Sequence, residues 1–282
     1  MTLKLLLMKF KRFKLKKIRK AYRIFFPLEI SEEALFEHKL EWNSKIISFK
    51  KVDLCYEVKT SLGLNVCFRS GNHSDYEVFE QIFNLEEYDI IKKIINLNLN
   101  KADSLTMIDA GANVGYTTLY LNHFFNNAKI ISIEPSKENA LFFKKNVFHL
   151  NKSENVVFHE KALSHIPNMN FSISRKFRDG KDWSISTESN HHGNIKGVTI
   201  NEIIEQNKFE TLTFLKIDIE GAEQYIFEKG SDISFLNKTK IIAVEIHDEF
   251  DIRNMIYEKL KSHNFYLIES GELTIGINKD FL

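Results

Sequence analysis

Cysteine is nearly absent from this chain of 282 residues; only Cys55 and Cys67 occur. Two cysteines exclude a disulfide framework and a cysteine-ligated metal cluster. They suit a reducing compartment, so a cytoplasmic location is expected. Proline is as scarce. Pro27, Pro135 and Pro167 stand alone, which leaves no place for an Asp-Pro-Pro-Tyr-type site acting on the amino groups of DNA bases. No apolar run approaches the roughly 18 residues of a membrane-spanning helix. Leu5-Leu6-Leu7-Met8 is too short, and too closely flanked by charge, to be the apolar core of a signal peptide. The Gly-x-Gly-x-x-Gly fingerprint of dinucleotide sites is missing as well.

What is present is the composition of a globular protein. Hydrophobic residues make up 43% and charged residues 27%, enough apolar surface for one large or two smaller domains. The net charge of +1 hides an asymmetry. Lysines and arginines from Lys4 to Arg23 precede the first acid, Glu29, so residues 24–282 carry −9. Residues 4–26 read either as a basic amphipathic helix lying on an anionic membrane or as a solvated lead-in. The first reading would give peripheral contact with the inner face of the membrane. Nucleic acid is not an expected partner, because the acidic body would repel phosphates.

The central stretch is Met107-Ile108-Asp109-Ala110-Gly111-Ala112-Asn113-Val114-Gly115-Tyr116-Thr117. The apolar run ending at Asp109 predicts a buried strand. Val114, Leu119, Tyr120 and Phe124 fall at helical spacings. A strand, a tight glycine turn and a helix place backbone N–H groups at a helix start, where they hold anionic groups. Gly111 would permit the sharp turn, and Gly115 a close approach. The next strand, Ala128–Ile133, ends in Glu134, 23 residues beyond Gly111. An acid at that distance grips a nucleoside ribose in βαβ sites, its two oxygens matching two vicinal hydroxyls. Asn113 replaces the middle glycine of a dinucleotide motif. Asp109, two residues before the first glycine, suits an ammonium or sulfonium ligand.

Along the rest of the chain, Ile46–Phe49, Val52–Val58 and Leu64–Arg69 read as strands, with Ser61-Leu62-Gly63 as a hairpin turn. Ser74 or Asp75 is expected to cap a helix burying Val78, Phe79, Ile82 and Phe83. A second helix covers Tyr88–Ile95, and Ser136 caps another. Val156–Phe158 reads as the third sheet strand. Residues 166–198 interrupt the rhythm and read as a long, functional loop. His191 and His192 lie there without a nearby acid and read as solvated rather than metal-bound. Trp42 and Trp183 would either stack on a sugar or belong to the core.

A second chemical stretch is Phe214-Leu215-Lys216-Ile217-Asp218-Ile219-Glu220-Gly221-Ala222-Glu223. On a continued strand Lys216, Asp218 and Glu220 share one face. Asp218 then stands at the carboxyl end, where open α/β sheets bind ligands. Glu245 and His247 share a face on the strand that follows. Lys216 and Glu223 read as structural charges. Tyr225 and Lys229 have the Tyr-x-x-x-Lys spacing of nicotinamide-dependent oxidoreductases, but the dinucleotide glycines do not accompany it.

Asp109-x-Gly-Ala-Asn-x-Gly115, Glu134-Pro135, Lys216-Ile-Asp-Ile-Glu-Gly-Ala-Glu223 and Glu245-Ile-His247 together resemble the FkbM-type methyltransferases. The likeness covers roughly residues 64–277, with Asn201 where the family usually has aspartate. It implies an α/β, Rossmann-like fold: a seven-stranded, mostly parallel sheet with helices on both faces and an antiparallel last strand at Leu273–Ile277. The organisation expected from charge and patterning is a basic segment (1–29), accessory strands and helices (30–100) and a cofactor-binding domain (101–282). The implied activity is S-adenosylmethionine-dependent O-methylation of a hydroxyl on a sugar, glycan or natural product. Asp109, Gly111, Asn113, Gly115, Glu134 and Asp218 are the expected cofactor residues. Asp218, Glu245 and His247 are the expected catalytic ones. Two routes stay open: His247 as a base, or Mg²⁺ held by Asp218 and Glu245. The rivals are a nicotinamide oxidoreductase and a non-catalytic cofactor-binding protein of the same fold.

Overall fold

The central strands of the main sheet are mostly apolar, as strands covered on both faces are. In this computed structural model, which describes residues 31–71, 73–98, 104–174, 186–190 and 192–282, every residue of Leu212–Ile217 is buried. The expected basic helix over 4–26, Trp183 and His191 lie outside the described residues. The described residues begin with α1 (Glu32–Trp42), capped by the Ser31 hydroxyl, which accepts the Ala34 N–H at 3.2 Å. It belongs to a unit ending at Asn43, and Ser44–Leu282 forms another.

Within that second unit the strands are β1 (Ile46–Val52), β2 (Cys55–Thr60), β3 (Asn65–Arg69), β4 (Thr106–Ala110), β5 (Lys129–Ile133), β6 (Val156–His159), β7 (Ala162–Leu163), β8 (Asn170–Ser174), β9 (Ser186–Ser189), β10 (Ile195–Val198), β11 (Leu212–Ile217), β12 (Thr239–Glu245), β13 (Phe265–Ser270) and β14 (Leu273–Asn278). The helices are α2 (Asp75–Phe79), α3 (Asp89–Asn98), α4 (Tyr116–Phe124), α5 (Lys137–Phe143), α6 (Ile200–Gln206), α7 (Glu223–Phe227) and α8 (Arg253–Ser262). α2 and α5 run on as π-helical turns, Glu80–Asn84 and Lys144–Leu150.

The main sheet has the order β13-β14-β12-β11-β4-β5-β6. Its five strands from β12 to β6 are parallel, and β14 is antiparallel to both neighbours. This is the expected α/β, seven-stranded, mostly parallel sheet with helices on both faces. On one face Ile108, Ile131, Leu215 and Ile242 pack with Ile203, Phe227 and Ile256 into one core. A capping box at Thr199 and Glu202 starts α6, and the Ser136 hydroxyl caps α5 as expected.

The accessory strands differ from the expectation at one place. Val52–Val58 is not one strand. Asp53 takes a left-handed backbone, φ 52°, and turns the chain so that β1 and β2 pair antiparallel. The hairpin between β2 and β3 holds, with Gly63 at φ 80°. β3 is fastened to the main body by polar bonds. The Cys67 N–H donates to Asn146 Oδ1 and the Tyr116 hydroxyl to Cys67 O, each at 2.8 Å. Around these bonds Phe68 sits edge-on to Phe79 and Tyr116, at 5.1 and 6.0 Å between ring centres. Asp75 does not cap α2. It clamps buried Arg69, accepting its N–H at 2.7 Å and its guanidinium.

Within the expected long loop, 166–198, the described residues include three strands, β8, β9 and β10. β7, β10, β8 and β9 form a four-stranded layer, with residues 175–185 outside the described residues. Among the described residues no helix is long and apolar enough to cross a membrane.

Candidate active site

β4 has β5 on one side and β11 on the other, so the chain leaves it in opposite directions. Such a switch point opens a crevice at the carboxyl ends of the strands. A cleft of about 1030 Å³ lies there, lined by Gly111, Asn113, Glu134, Lys216, Asp218 and Glu245 among others. The segment from α2 to α3 forms another part of its wall, through Gln81, Glu87 and Tyr88. Of the accessory elements, the helical segment borders the cleft; no residue of β1–β3 is among those lining it.

Glu134 directly follows β5 and is buried. Its Oε2 accepts the Asn113 N–H at 3.0 Å, and its Oε1 accepts the Ser136 N–H at 2.9 Å. One carboxylate thus joins the glycine turn to the start of α5 and still faces the cleft. Burial, partly offset by those hydrogen bonds, pushes its pKa from 4.5 to about 7. Asn113 stands at φ 48°, a left-handed conformation asparagine tolerates better than most residues. Its buried Oδ1 has no hydrogen-bond partner among the described residues, which leaves an acceptor for a ligand on this turn.

The floor of the cleft is Lys216. It is 3% exposed and reaches the Gly111 carbonyl at 2.9 Å, Asp218 at 3.2 Å and Asp109 at 3.4 Å. Burial opposes its charge, but Asp218, Tyr88 and Asp109 outweigh this and hold the ammonium well above its usual range.

Three expected site residues lie behind the wall rather than on it. Asp109 is fully buried and accepts the Thr118 hydroxyl at 2.6 Å. It supports the turn through Lys216. Gly115, at φ 91°, lets Val147 and Phe143 approach; a Cβ there would stand 2.8 Å from Val147 Cγ2. It serves helix packing. His247 is 1% exposed, with Nδ1 at 3.2 Å from Glu223 and Nε2 at 3.3 Å from Glu220 and 3.7 Å from Glu245. Burial disfavours the imidazolium, yet the bonds to Glu220 and Glu223 prevail and push the pKa to about 11. Enclosed by Glu220 and Glu223 and absent from the cleft lining, His247 does not meet the cleft directly, so its expected role as a base does not fit its position.

Glu220 departs from strand alternation. β11 ends at Ile217, and Glu220 and Gly221 both have positive φ, 56° and 87°. That turn brings Glu220 beside His247. Glu223, read as structural, accepts the Ile219 N–H at 2.8 Å. Glu245 lines the cleft; burial and the charge of Asp218 push it to about 9. Glu87 gave no signal in the sequence, because it sits in a short link between two helices. Burial pushes it to about 7, with Gln81 donating to it at 2.9 Å. Asn201 donates to Asp232 O at 3.3 Å and, like Tyr225, is not among the residues lining the cleft. The Tyr-x-x-x-Lys spacing therefore has no site to serve.

A family profile described as "Methyltransferase FkbM domain" matches residues 109–267, more than half of the chain. The chain belongs to the FkbM methyltransferase family. The match starts at Asp109 beneath the cleft and spans Glu134, Asp218, Glu245 and His247. This FkbM methyltransferase is also similar to solved structures. One is the SAM-dependent methyltransferase from Agrobacterium tumefaciens, at 7% identity over 82% of this chain and 72% of that one, TM-score 0.46. Another is the fibrillarin pre-rRNA processing protein of Methanococcus jannaschii, at 13% identity over 82% and 97%, TM-score 0.40. A third is a precorrin-6y C5,15-methyltransferase from Geobacter metallireducens, at 13% identity over 67% and 88%, TM-score 0.40. No curated protein matches this sequence.

Proposed function

We propose that the protein transfers a methyl group from S-adenosylmethionine to a hydroxyl of a sugar, glycan or other natural product. The observation that carries the cofactor reading is the Glu134 carboxylate, buried at the end of β5, tied to the Asn113 N–H and open to the cleft. Its remaining lone pairs match two vicinal ribose hydroxyls. Gly111 and Asn113 lie along the same wall, and Asp218 supplies a carboxylate suited to the cofactor's cationic end. S-adenosylmethionine would supply an electrophilic methyl on a good leaving group. The protein's own work is then to orient the acceptor and remove its proton. Asp218 is the group placed for this. It follows β11, lines the cleft, and is steadied by Lys216 at 3.2 Å. Carboxylates on the wall favour an acceptor rich in hydroxyl donors and repel phosphates. That supports a small-molecule or glycan acceptor over a nucleic acid.

Asp218→Asn is expected to lower turnover about 100-fold or more, the usual scale for general acid–base help. Affinity for S-adenosylhomocysteine should change far less. Labelled methyl transfer to glycan and lipid fractions, with calorimetry alongside, measures both. Near-normal turnover in the variant would remove Asp218 from the chemistry. Tight NADH binding in the calorimeter would remove the cofactor reading itself.

The Glu134 pKa gives a pH signature. Ribose hydroxyls need the ionised carboxylate, but the free protein keeps Glu134 protonated up to about pH 7. Affinity for S-adenosylhomocysteine should therefore rise up to about ten-fold per unit from pH 5 to 7 and level off above. Because the folded pKa is raised, the same group stabilises the fold below pH 4.5 and loses that contribution as pH rises through about 7. Glu87 titrates in the same range, so Glu134→Gln serves as the control. Its profile should be flat and its affinity lower. An unchanged slope in that variant would assign the pH dependence elsewhere.

A further inference from the structure

At the carboxyl ends of β11 and β12, a histidine and two carboxylates converge from three separate places in the chain. Asp218 follows β11, Glu220 stands in the left-handed turn after it, and His247 follows β12. One donor atom from each lies within 4.8 Å of the others. Donors about 2.0–2.2 Å from one ion stand roughly 3.0 Å apart in neighbouring octahedral positions and 4.2 Å in opposite ones. Within this set His247 Nε2 is 3.3 Å from Glu220 Oε2, inside that range.

A second feature lies outside the donor set. Glu223 is fully buried, and its two oxygens are committed to different tasks. Oε1 accepts the Ile219 N–H at 2.8 Å, which fixes the carboxylate; Oε2 meets His247 Nδ1 at 3.2 Å. A buried carboxylate 3.2 Å from Nδ1 favours a proton on that nitrogen, so an ion arriving at Nε2 displaces the Nε2 proton. This carboxylate–imidazole pair is the recurrent outer support of metal-binding histidines. A purely structural histidine needs no carboxylates converging on its other nitrogen from a solvent-facing cleft. Asp218 and Glu220 line that cleft, so an ion there is within reach of an acceptor.

We infer that Asp218, Glu220 and His247 form a divalent metal site, oriented by Glu223 and flanked by Glu245. The imidazole selects the metal. Mg²⁺ prefers oxygen ligands and retained waters, whereas Mn²⁺, Fe²⁺ and Zn²⁺ accept mixed nitrogen and oxygen sets. The site therefore differs in residues and in metal class from Mg²⁺ on Asp218 and Glu245. Its role rests on reading the cleft as the methyl-transfer site. There the ion would bind the acceptor hydroxyl and lower its pKa, with Asp218 acting through the ion rather than as a free base: the proton passes to water in the open cleft, the oxygen–methyl bond forms and the methyl–sulfur bond breaks, leaving S-adenosylhomocysteine.

The test uses Mn²⁺ as probe and the full chain stripped with EDTA and dialysed. Electron paramagnetic resonance counts free Mn²⁺ during a titration. One ion per chain should bind, displaced by Zn²⁺. Glu220→Gln should weaken binding at least ten-fold, and Glu223→Gln about 10- to 100-fold. Glu272→Gln, a cleft residue outside the donor set, should bind as the native chain does. S-adenosylhomocysteine calorimetry on the same samples confirms that each variant is folded and tests the cofactor reading separately. Should Glu223→Gln fail to fold, Glu220→Gln decides. Absence of Mn²⁺ and Zn²⁺ uptake by the native chain, or equal Mn²⁺ affinity in a folded Glu220→Gln, overturns the site. Metal uptake without cofactor binding would keep the site and overturn its role in methyl transfer.

Discussion

Lys216→Met is expected to destabilise the protein by about 3–5 kcal/mol, the usual penalty for breaking a buried ion pair from one side. The lysine is 3% exposed and serves the Gly111 carbonyl, Asp109 and Asp218 at once. Methionine fills much of the same volume, so packing is not what the substitution tests. What changes is Asp109, fully buried and left with the Thr118 hydroxyl as its remaining close partner. An isolated buried carboxylate takes up a proton rather than stay charged. Its folded pKa then rises well above that of the unfolded chain. The sign follows. The variant is penalised least at low pH and increasingly as pH rises past the ordinary aspartate range. Urea denaturation at pH 5 and pH 8 should show the gap from the native chain widening with pH. Adding Asp109→Asn should recover part of the loss, since an amide has no charge to bury. Equal midpoints for native and Lys216→Met chains, or no recovery in the double variant, would show that Lys216 is not what neutralises the floor of the cleft.

Features written into the local chain are the ones legible beforehand. The run up to Asp109, the glycines after it and the acid at Glu134 each depend on a few neighbouring residues. The structure places Glu134 at the end of β5, on the Asn113 N–H and beside the cleft. The capping role of Ser136 is legible for the same reason, whereas the antiparallel β14 is expected from the family resemblance alone. What escapes is set by contacts between distant segments. Asp75 has the right residue type and position for a helix cap, but Arg69 beside it in the fold claims the carboxylate. Lys216, Asp218 and Glu220 alternate correctly only while the strand lasts. It stops at Ile217, and the left-handed turn redirects Glu220 toward His247. The surroundings that oppose His247 as a base come from elsewhere. Glu220 and Glu223 follow the neighbouring strand and sit more than twenty residues away in sequence. A histidine's place in a motif says where it is, and its partners decide whether it can hold or release a proton.

Gly111→Ala should produce the largest loss of any single methyl group added to this cleft, about 4 kcal/mol or more, together with loss of cofactor binding. Two effects combine. The residue has φ 81°, where an L side chain costs about 1 kcal/mol or somewhat more. Space is the larger problem: a Cβ here would lie 1.7 Å from the Asp218 carbonyl oxygen and 2.8 Å from its carbon. Both are backbone atoms, so no rotamer change relieves the overlap. Nor can the turn retreat easily. The Gly111 N–H donates to the Ile133 carbonyl at 3.0 Å, and its carbonyl accepts from Lys216 at 2.9 Å. The methyl must drive the end of β11, which carries Asp218, away from β4. Gly63 isolates the backbone part of this effect. It has nearly the same φ, 80°, but nothing stands within 4 Å of an added Cβ. Gly63→Ala should therefore lose only the conformational share, about 1 kcal/mol, and bind S-adenosylhomocysteine normally. Chemical denaturation of the two variants, with calorimetry on each, separates the contributions. Equal destabilisation of both, or a folded Gly111→Ala with native cofactor affinity, would show that the close crossing of the glycine turn and the Asp218 backbone does not shape the site.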